Sequence, residues 1–110
     1  AQKQGLISAA FFWPGTETAI GGMQPKFWKD YDGKVPNDTR VDTVLGWLDL
    51  PVADRPTMIT MYFSDVDDAG HNHGPESPEN REAVLRVDGS IRKLVDGLAA
   101  RGILEQVNLI

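Results

Sequence analysis

Three short stretches of the chain are apolar at nearly every position, which is typical of strands buried on both faces. The first is LISAAFFW at Leu6–Trp13, closed by Pro14 and Gly15, and the others are PTMITMYFS at residues 56–64 and QVNLI at residues 106–110. Between them lie two longer stretches with apolar residues three and four positions apart, the spacing of amphipathic helices. This alternation of strand and helix patterns predicts an α/β fold with a parallel sheet.

The two predicted helices begin and end at residues with known capping preferences. Asn37 or Asp38 is expected to cap the first helix, and Pro51 stops it. Ser77 is expected to cap the second helix, which starts with a proline and ends at Gly102. The predicted apolar face of this second helix consists of Val84, Val87, Ile91, Leu94, Val95 and Leu98.

Residues 14–38 separate the first strand from the first helix and show no clear hydrophobic period. They are rich in glycine, proline and polar residues, with Phe27, Trp28 and Tyr31 among them. The sequence therefore predicts a long irregular connection, and such connections in compact domains usually bind a ligand or move.

Composition narrows the possible functions. The 110 residues carry a net charge of −5 and contain no cysteine. An acidic chain is a poor partner for a nucleic-acid backbone, and any metal must be held by His, Asp, Glu or hydroxyl ligands. No apolar run is long enough to form a membrane segment. The chain has no initiating Met and stops within a predicted strand, so we expect an internal segment of a larger domain.

The chemistry concentrates in YFSDVDDAGHNHGP at residues 62–75, directly after the second predicted strand. Ligand sites in open α/β sheets gather at the carboxyl ends of strands. Asp67 and His71 lie four residues apart there, and Gly70 could let a loop bring them together. Carboxylate and imidazole groups both bind zinc, and Asp65 or His73 could add a third ligand.

Spacing alone leaves the alternatives open. Asp and Asn are common in solvated loops, which are the more frequent outcome of such a pattern, and His73 alone is more often a surface residue than a ligand. Trp13, Tyr31 and Tyr62 could stack on a flat ligand such as a nucleobase, although aromatic residues at strand ends more often serve packing.

Four ordered motifs extend over nearly the whole chain. They are FWPGTE with Tyr31 eighteen residues after Trp13, RVDTVLGWLDLP, MYFSDVDDAGHNHGPES and RVDGSIRKLVDGL. In combination they resemble the nucleotide pyrophosphatase/phosphodiesterase family of the alkaline phosphatase superfamily. Val66 stands where that family usually has proline, Ser64 and Asp65 replace a pair of glutamates, and His73 replaces an aromatic residue.

The resemblance implies that residues 1–110 are an internal segment of one alkaline-phosphatase-like α/β/α catalytic domain with a parallel sheet. It implies a two-zinc hydrolase of phosphodiester and pyrophosphate bonds, in which Asp67 and His71 bind one zinc. The remaining zinc ligands and the nucleophilic threonine would belong to other parts of the domain, so the isolated segment should be inactive. The implied substrate-binding residues are Trp13, Glu17, Tyr31 and Tyr62.

Members of that family are usually exported or membrane-anchored, which implies a periplasmic or extracellular location. The implied substrate is a nucleotide or another small phosphodiester, cleaved to release a nucleoside monophosphate. Two alternatives stay open. One is a phosphodiesterase for choline-containing lipids, because a choline group also binds aromatic rings. The other is a non-catalytic remnant that binds a metal or a ligand.

Overall fold

A computed structural model describes all 110 residues, which form two units, Ala1–Phe63 and Ser64–Ile110. The first unit contains strands β1 (Ser8–Phe11), β2 (Phe27–Lys29) and β3 (Met58–Met61) and helix α1 (Asn37–Leu48). The second contains helices α2 (Asp65–His73) and α3 (Pro78–Ala100). Short 3-10 turns span Gln2–Gln4 and Leu104–Gln106. No helix is both long and apolar enough to cross a bilayer.

The first unit is built on a parallel sheet with the strand order β2-β1-β3. Central strand β1 pairs Ala9 with Phe27 on one side and with Ile59 on the other. Its residues Ala9, Ala10 and Phe11 are buried, as the unbroken apolar run predicted. Trp47 of α1 packs against Phe11, with ring centroids 5.9 Å apart, and so fixes the helix beside the central strand.

Strand β2 lies inside the segment predicted to be irregular, so that prediction was wrong at Phe27–Lys29. Three residues are too few to show a strand period in the sequence. The strand is held by its ladder to β1 and by the Phe27 ring, which stacks on Trp47 at 5.7 Å. Just before it, Gly21 and Gly22 have φ of 60° and 79°, forming the two-residue turn between paired residues Ile20 and Met23.

Helix α1 begins at Asn37, so its cap lies one residue before the first of the two predicted cap residues. Pro36 occupies the cap position with extended backbone angles, and Asn37 and Asp38 lie in the first turn. Its C-terminal end agrees with the prediction, because the helix ends at Leu48 and Pro51 follows shortly after. Proline favours this end because it has no backbone N–H to continue the helix.

Two strand predictions are wrong in part. Strand β3 is half-buried with an exposed Met58, instead of buried on both faces, because it forms an edge of the sheet. The segment Val107–Ile110 forms no strand. Its residue Val107 has extended angles, but a strand also needs a hydrogen-bonding neighbour, and this segment has none in the structure.

In the second unit α2 and α3 pack against each other. Ser77 caps α3 by accepting a hydrogen bond from the Asn80 backbone N–H at 3.1 Å, and Pro78 follows at the first position, as predicted. Gly102 ends the helix with φ of 66°. The buried face is rotated from the predicted one, because Val84 and Ile91 remain 49% and 46% exposed. It consists of Ala83, Val87, Ser90, Leu94, Val95 and Leu98, fully or partly buried.

Candidate functional site

The polar stretch predicted to be a loop is helix α2. Acidic residues Asp65, Asp67 and Asp68 occupy its first turn, and His71 and His73 its last. The acidic first turn favours a helix, because carboxylates stabilise the positive N-terminal end of the helix dipole. The chain leaves the helix at Gly74, where φ is 91°. Gly70 lies within the helix, so its predicted role in bending a loop was wrong.

Helical spacing places Asp67 and His71 on one face, one turn apart. Asp67 Oδ1 and His71 Nε2 lie 3.4 Å apart, and the two side chains are 59% and 81% exposed. Two ligands bound to one tetrahedral zinc at about 2.0–2.1 Å would have donor atoms about 3.3 Å apart. The pair therefore fits two adjacent ligand positions of a zinc ion without a change of backbone.

The two residues considered as a third ligand do not join this pair. Asp65 forms an ion pair with Arg86 of α3, with 3.3 Å between Oδ1 and Nε. His73 lines an open groove of about 330 Å³ between α2 and α3, together with Asp68 and Glu82. No three His, Asp or Glu side chains converge anywhere in the 110 residues. The chain thus offers one pair of candidate metal ligands, which is fewer than a zinc site needs.

In the first unit, two of the predicted substrate-binding aromatics come together. The rings of Tyr31 and Tyr62 lie 6.2 Å apart, and Tyr31 meets the buried Phe12 edge-on at 5.4 Å. Tyr31 is 47% exposed, so this cluster of Phe12, Tyr31 and Tyr62 presents aromatic surface to solvent. Trp13 is equally exposed but makes no ring contact, so it stays apart from the cluster.

Glu17 belongs to a turn that is fixed by hydrogen bonds. Thr16 donates to the Trp13 carbonyl through both its N–H, at 3.1 Å, and its hydroxyl, at 2.6 Å. The Gln24 amide donates to the Glu17 carbonyl at 2.7 Å. The turn is therefore hydrogen-bonded to the segment before β2, and the sequence pattern did not indicate this contact.

Phe12 has φ of 61°, which is unusual for a residue other than glycine. Holding a bulky residue in this left-handed region costs about 1–2 kcal/mol, so the surroundings must enforce it. The Phe12 side chain is 3% exposed and lies between the Phe11 ring, at 4.5 Å, and the guanidinium of Arg40, at 5.0 Å. A desolvated guanidinium over a ring contributes about 2 kcal/mol.

Arg40 is the functional candidate that the sequence interpretation missed. Its side chain is only 2% exposed and donates to two backbone carbonyls, Val35 and Tyr62, each at 3.0 Å. The sequence does indicate that Arg40 is buried, because it lies four residues before Val44 and seven before Trp47 on the apolar stripe of α1. A charge on such a stripe is buried only when its hydrogen bonds are satisfied.

The chain is similar to known proteins over its whole length. The sequence model of the type I phosphodiesterase/nucleotide pyrophosphatase family matches residues 1–110. Human ectonucleotide pyrophosphatase/phosphodiesterase family member 1 is 44% identical over 110 residues, which is all of this chain and 12% of that protein. A venom phosphodiesterase of Crotalus durissus collilineatus is also 44% identical over 110 residues and is covered to 13%. The chain thus spans about an eighth of the length of these relatives.

A solved structure shows the same fold. Murine ectonucleotide pyrophosphatase/phosphodiesterase 5, in an inactive form in complex with AMP, matches 94% of this chain with a TM-score of 0.83 and 27% identity. The match covers 27% of that chain. The predicted fold class, part of an alkaline-phosphatase-like α/β domain with a parallel sheet, is confirmed. The chain belongs to the type I phosphodiesterase/nucleotide pyrophosphatase family.

Proposed function

We propose that the full-length protein containing this chain is a zinc-dependent hydrolase of phosphodiester and pyrophosphate bonds in nucleotides, releasing nucleoside monophosphates. The observation that carries the proposal is the family match over all 110 residues. The relatives named as nucleotide pyrophosphatases and phosphodiesterases, at 44% identity, support the same reaction class. Residues 1–110 would form one internal segment of a single catalytic domain, consistent with their coverage of 27% of the murine structure.

Within that reaction, Asp67 and His71 would hold one of two zinc ions. This assignment is supported by the distance of 3.4 Å between Asp67 Oδ1 and His71 Nε2 on one face of the helix. When bound, zinc offsets charge on phosphoryl oxygens and lowers the pKa of a bound water. Asp67 supplies a negative charge and His71 a neutral nitrogen, a donor set that suits zinc. The further ligands and the threonine nucleophile would come from elsewhere in the full-length protein.

The aromatic residues would bind the nucleoside part of the substrate. Tyr31 and Tyr62 offer neighbouring rings, and the exposed Trp13 offers another. Stacking of a base on such rings contributes about 1–3 kcal/mol per base. This binding energy would increase the fraction of protein that has substrate bound. Glu17 would accept a hydrogen bond from a polar group of the nucleoside. The structure with AMP supports a nucleotide ligand for that murine protein.

The location proposed for the full-length protein is periplasmic or extracellular. Support comes from the names of the relatives, which describe an ectonucleotide pyrophosphatase/phosphodiesterase and a venom phosphodiesterase.

The test measures how fast the purified full-length protein hydrolyses two substrates. They are thymidine 5′-monophosphate p-nitrophenyl ester and p-nitrophenyl phosphorylcholine. We expect kcat/KM for the nucleotide ester to be at least about tenfold higher, because only that substrate has a base to stack. Dialysis against a chelator should abolish turnover, and added zinc should restore it. A preference for the choline ester would assign the protein to the lipid-directed class. No hydrolysis of either ester with zinc present would favour a non-catalytic remnant.

A further inference from the structure

The proposed reaction does not use the buried guanidinium of Arg40. Arg40 extends from the first turn of α1 to the carboxyl ends of two strands. Its Nε donates to the Val35 carbonyl and its Nη1 to the Tyr62 carbonyl, both at 3.0 Å. Its Cζ lies 5.0 Å from the centre of the Phe12 ring. One side chain therefore contacts the residues that follow β1 and β3 directly.

These contacts fix the backbone of Tyr62 from both sides. Its N–H donates to the Phe11 carbonyl at 3.0 Å, continuing the ladder between β1 and β3. Its carbonyl accepts from Arg40. Arg40 and the sheet together therefore hold both backbone groups of the residue from which the Tyr62 ring extends.

Arg40 is connected to Tyr31 through contacts with Phe12. The guanidinium lies over the Phe12 ring, and Phe12 meets the Tyr31 ring edge-on at 5.4 Å. Edge-on contacts depend on ring orientation, because the positive edge of one ring faces the negative face of the other. We therefore expect a shift of the Phe12 ring to turn the Tyr31 ring as well.

We infer that Arg40 is a positioning residue that orients Tyr31 and Tyr62 for a flat nucleobase, without contacting the substrate. This inference rests on the proposed function, since it gives these tyrosines their ligand. Its chemical basis is the planar guanidinium, which donates in two fixed directions while its face packs on a ring. Lysine has the charge but not this geometry. Methionine has a similar length but no hydrogen-bond donor, so the carbonyls of Val35 and Tyr62 would lose their hydrogen bonds from residue 40.

The test compares Arg40→Lys and Arg40→Met with wild type in the full-length protein. The matched control is Arg92→Met, which removes an exposed arginine paired with Asp88 on α3. Each variant is assayed with thymidine 5′-monophosphate p-nitrophenyl ester, which carries a base, and with methyl p-nitrophenyl phosphate, which does not. Circular dichroism and zinc content establish that each variant is folded and loaded.

We expect Arg40→Met to raise KM for the nucleoside ester about tenfold with little change in kcat, equivalent to about 1.4 kcal/mol of lost stacking. Arg40→Lys should show a smaller rise of about threefold, from the same lost geometry. The methyl ester should be hydrolysed at nearly the wild-type rate by both, and Arg92→Met should match wild type on both substrates.

Equal losses on the two esters, or a drop in kcat alone, would overturn the inference, because a merely structural residue affects all substrates alike. If Arg40→Met does not fold, Arg40→Lys decides the question, and wild-type KM values for that variant would also overturn it. Failure of the proposed function is distinguishable, since wild type itself would then show no preference for the nucleoside ester.

Discussion

Arg40 and Phe12 are the residues at which the first unit departs most from ordinary local preferences. One is a charge in the core and the other a phenylalanine with φ of 61°. Each is stabilised by the other, because the guanidinium packs on the ring while its donors satisfy two carbonyls. The burial of Arg40 is indicated by its place on the apolar stripe of α1, whereas the backbone angle of Phe12 could not be predicted from spacing, since it depends on contacts between segments distant in sequence.

The candidate ligands Asp67 and His71 were predicted from the sequence, and the structure places them 3.4 Å apart. Their metal is still a prediction. The sequence also pointed to Tyr31 and Tyr62, but only the structure shows that they form a cluster with Phe12 and that Trp13 is separate. The three rings follow three different strands, so the hydrophobic period within a single segment cannot predict that they are in contact.

At Tyr31, the ring and the hydroxyl should contribute differently to substrate binding. Tyr31→Ala in the full-length protein should raise KM for the nucleotide ester by about tenfold, because one stacking ring is lost. Tyr31→Phe keeps the ring and should stay within about twofold of wild type. Steady-state kinetics with both variants make the comparison. Equal losses for the two variants would show that the hydroxyl, and not the ring, holds the substrate.

At Gln24, the side-chain amide should stabilise the turn that carries Glu17. Gln24→Ala removes the donor to the Glu17 carbonyl and should lower the free energy of unfolding by about 1 kcal/mol. The matched control is Gln4→Ala at an exposed position, which should leave stability unchanged. Denaturant titration of the full-length variants measures both. A turn that does not depend on Gln24 would give the two variants the same midpoint.

At the scale of elements, helices were predicted better than strands. Helix α3 was located closely because its ends are marked locally by Ser77, Pro78 and Gly102. The short strand β2 and the segment Val107–Ile110 were misjudged because strands depend on a pairing partner that a local pattern does not reveal. Helix α2 was taken for a loop because its polar residues hide the apolar period, leaving Ala69 as its one buried residue.

The cap of α3 gives a prediction for Ser77. Ser77→Ala removes the oxygen that accepts from the Asn80 N–H and should destabilise the protein by about 1 kcal/mol. Ser77→Asp restores an acceptor and adds a charge favourable to the helix dipole, so it should recover most of the loss. Thermal or denaturant unfolding of the full-length variants tests this. An Asp variant as unstable as the Ala variant would argue against the cap.

The helical backbone at Gly70 can be tested by comparison with Gly74. A Cβ at Gly70 would meet the Asn80 Oδ1 atom at 3.8 Å, an ordinary contact, so Gly70→Ala should raise stability by about 0.5–1 kcal/mol. Gly74 lies outside the helix with φ of 91°, so Gly74→Ala should lower stability. The opposite signs are the diagnostic result. A loss of stability at both positions would indicate that residues 65–73 are not helical.

At the scale of the whole molecule, family membership rests on ordered motifs that extend from the first strand to α3. The family match over residues 1–110 and the TM-score of 0.83 agree with the predicted fold class. With a net charge of −5 on the chain, metal ions would have to supply the positive charge that an anionic substrate requires. Which residues would complete a zinc site could not be predicted, because the chain holds one candidate pair and no third convergent residue.

The central claim is that Asp67 and His71 hold a zinc ion that is needed for nucleotide hydrolysis. The most direct test measures the zinc content and the turnover of the His71→Ala variant of the full-length protein. His73→Ala is the matched control, since it removes the same side chain from the same helical turn. We predict that His71→Ala loses about one zinc per molecule and at least about a hundredfold in kcat/KM, whereas His73→Ala retains both. Full zinc occupancy and wild-type turnover in His71→Ala would contradict the account.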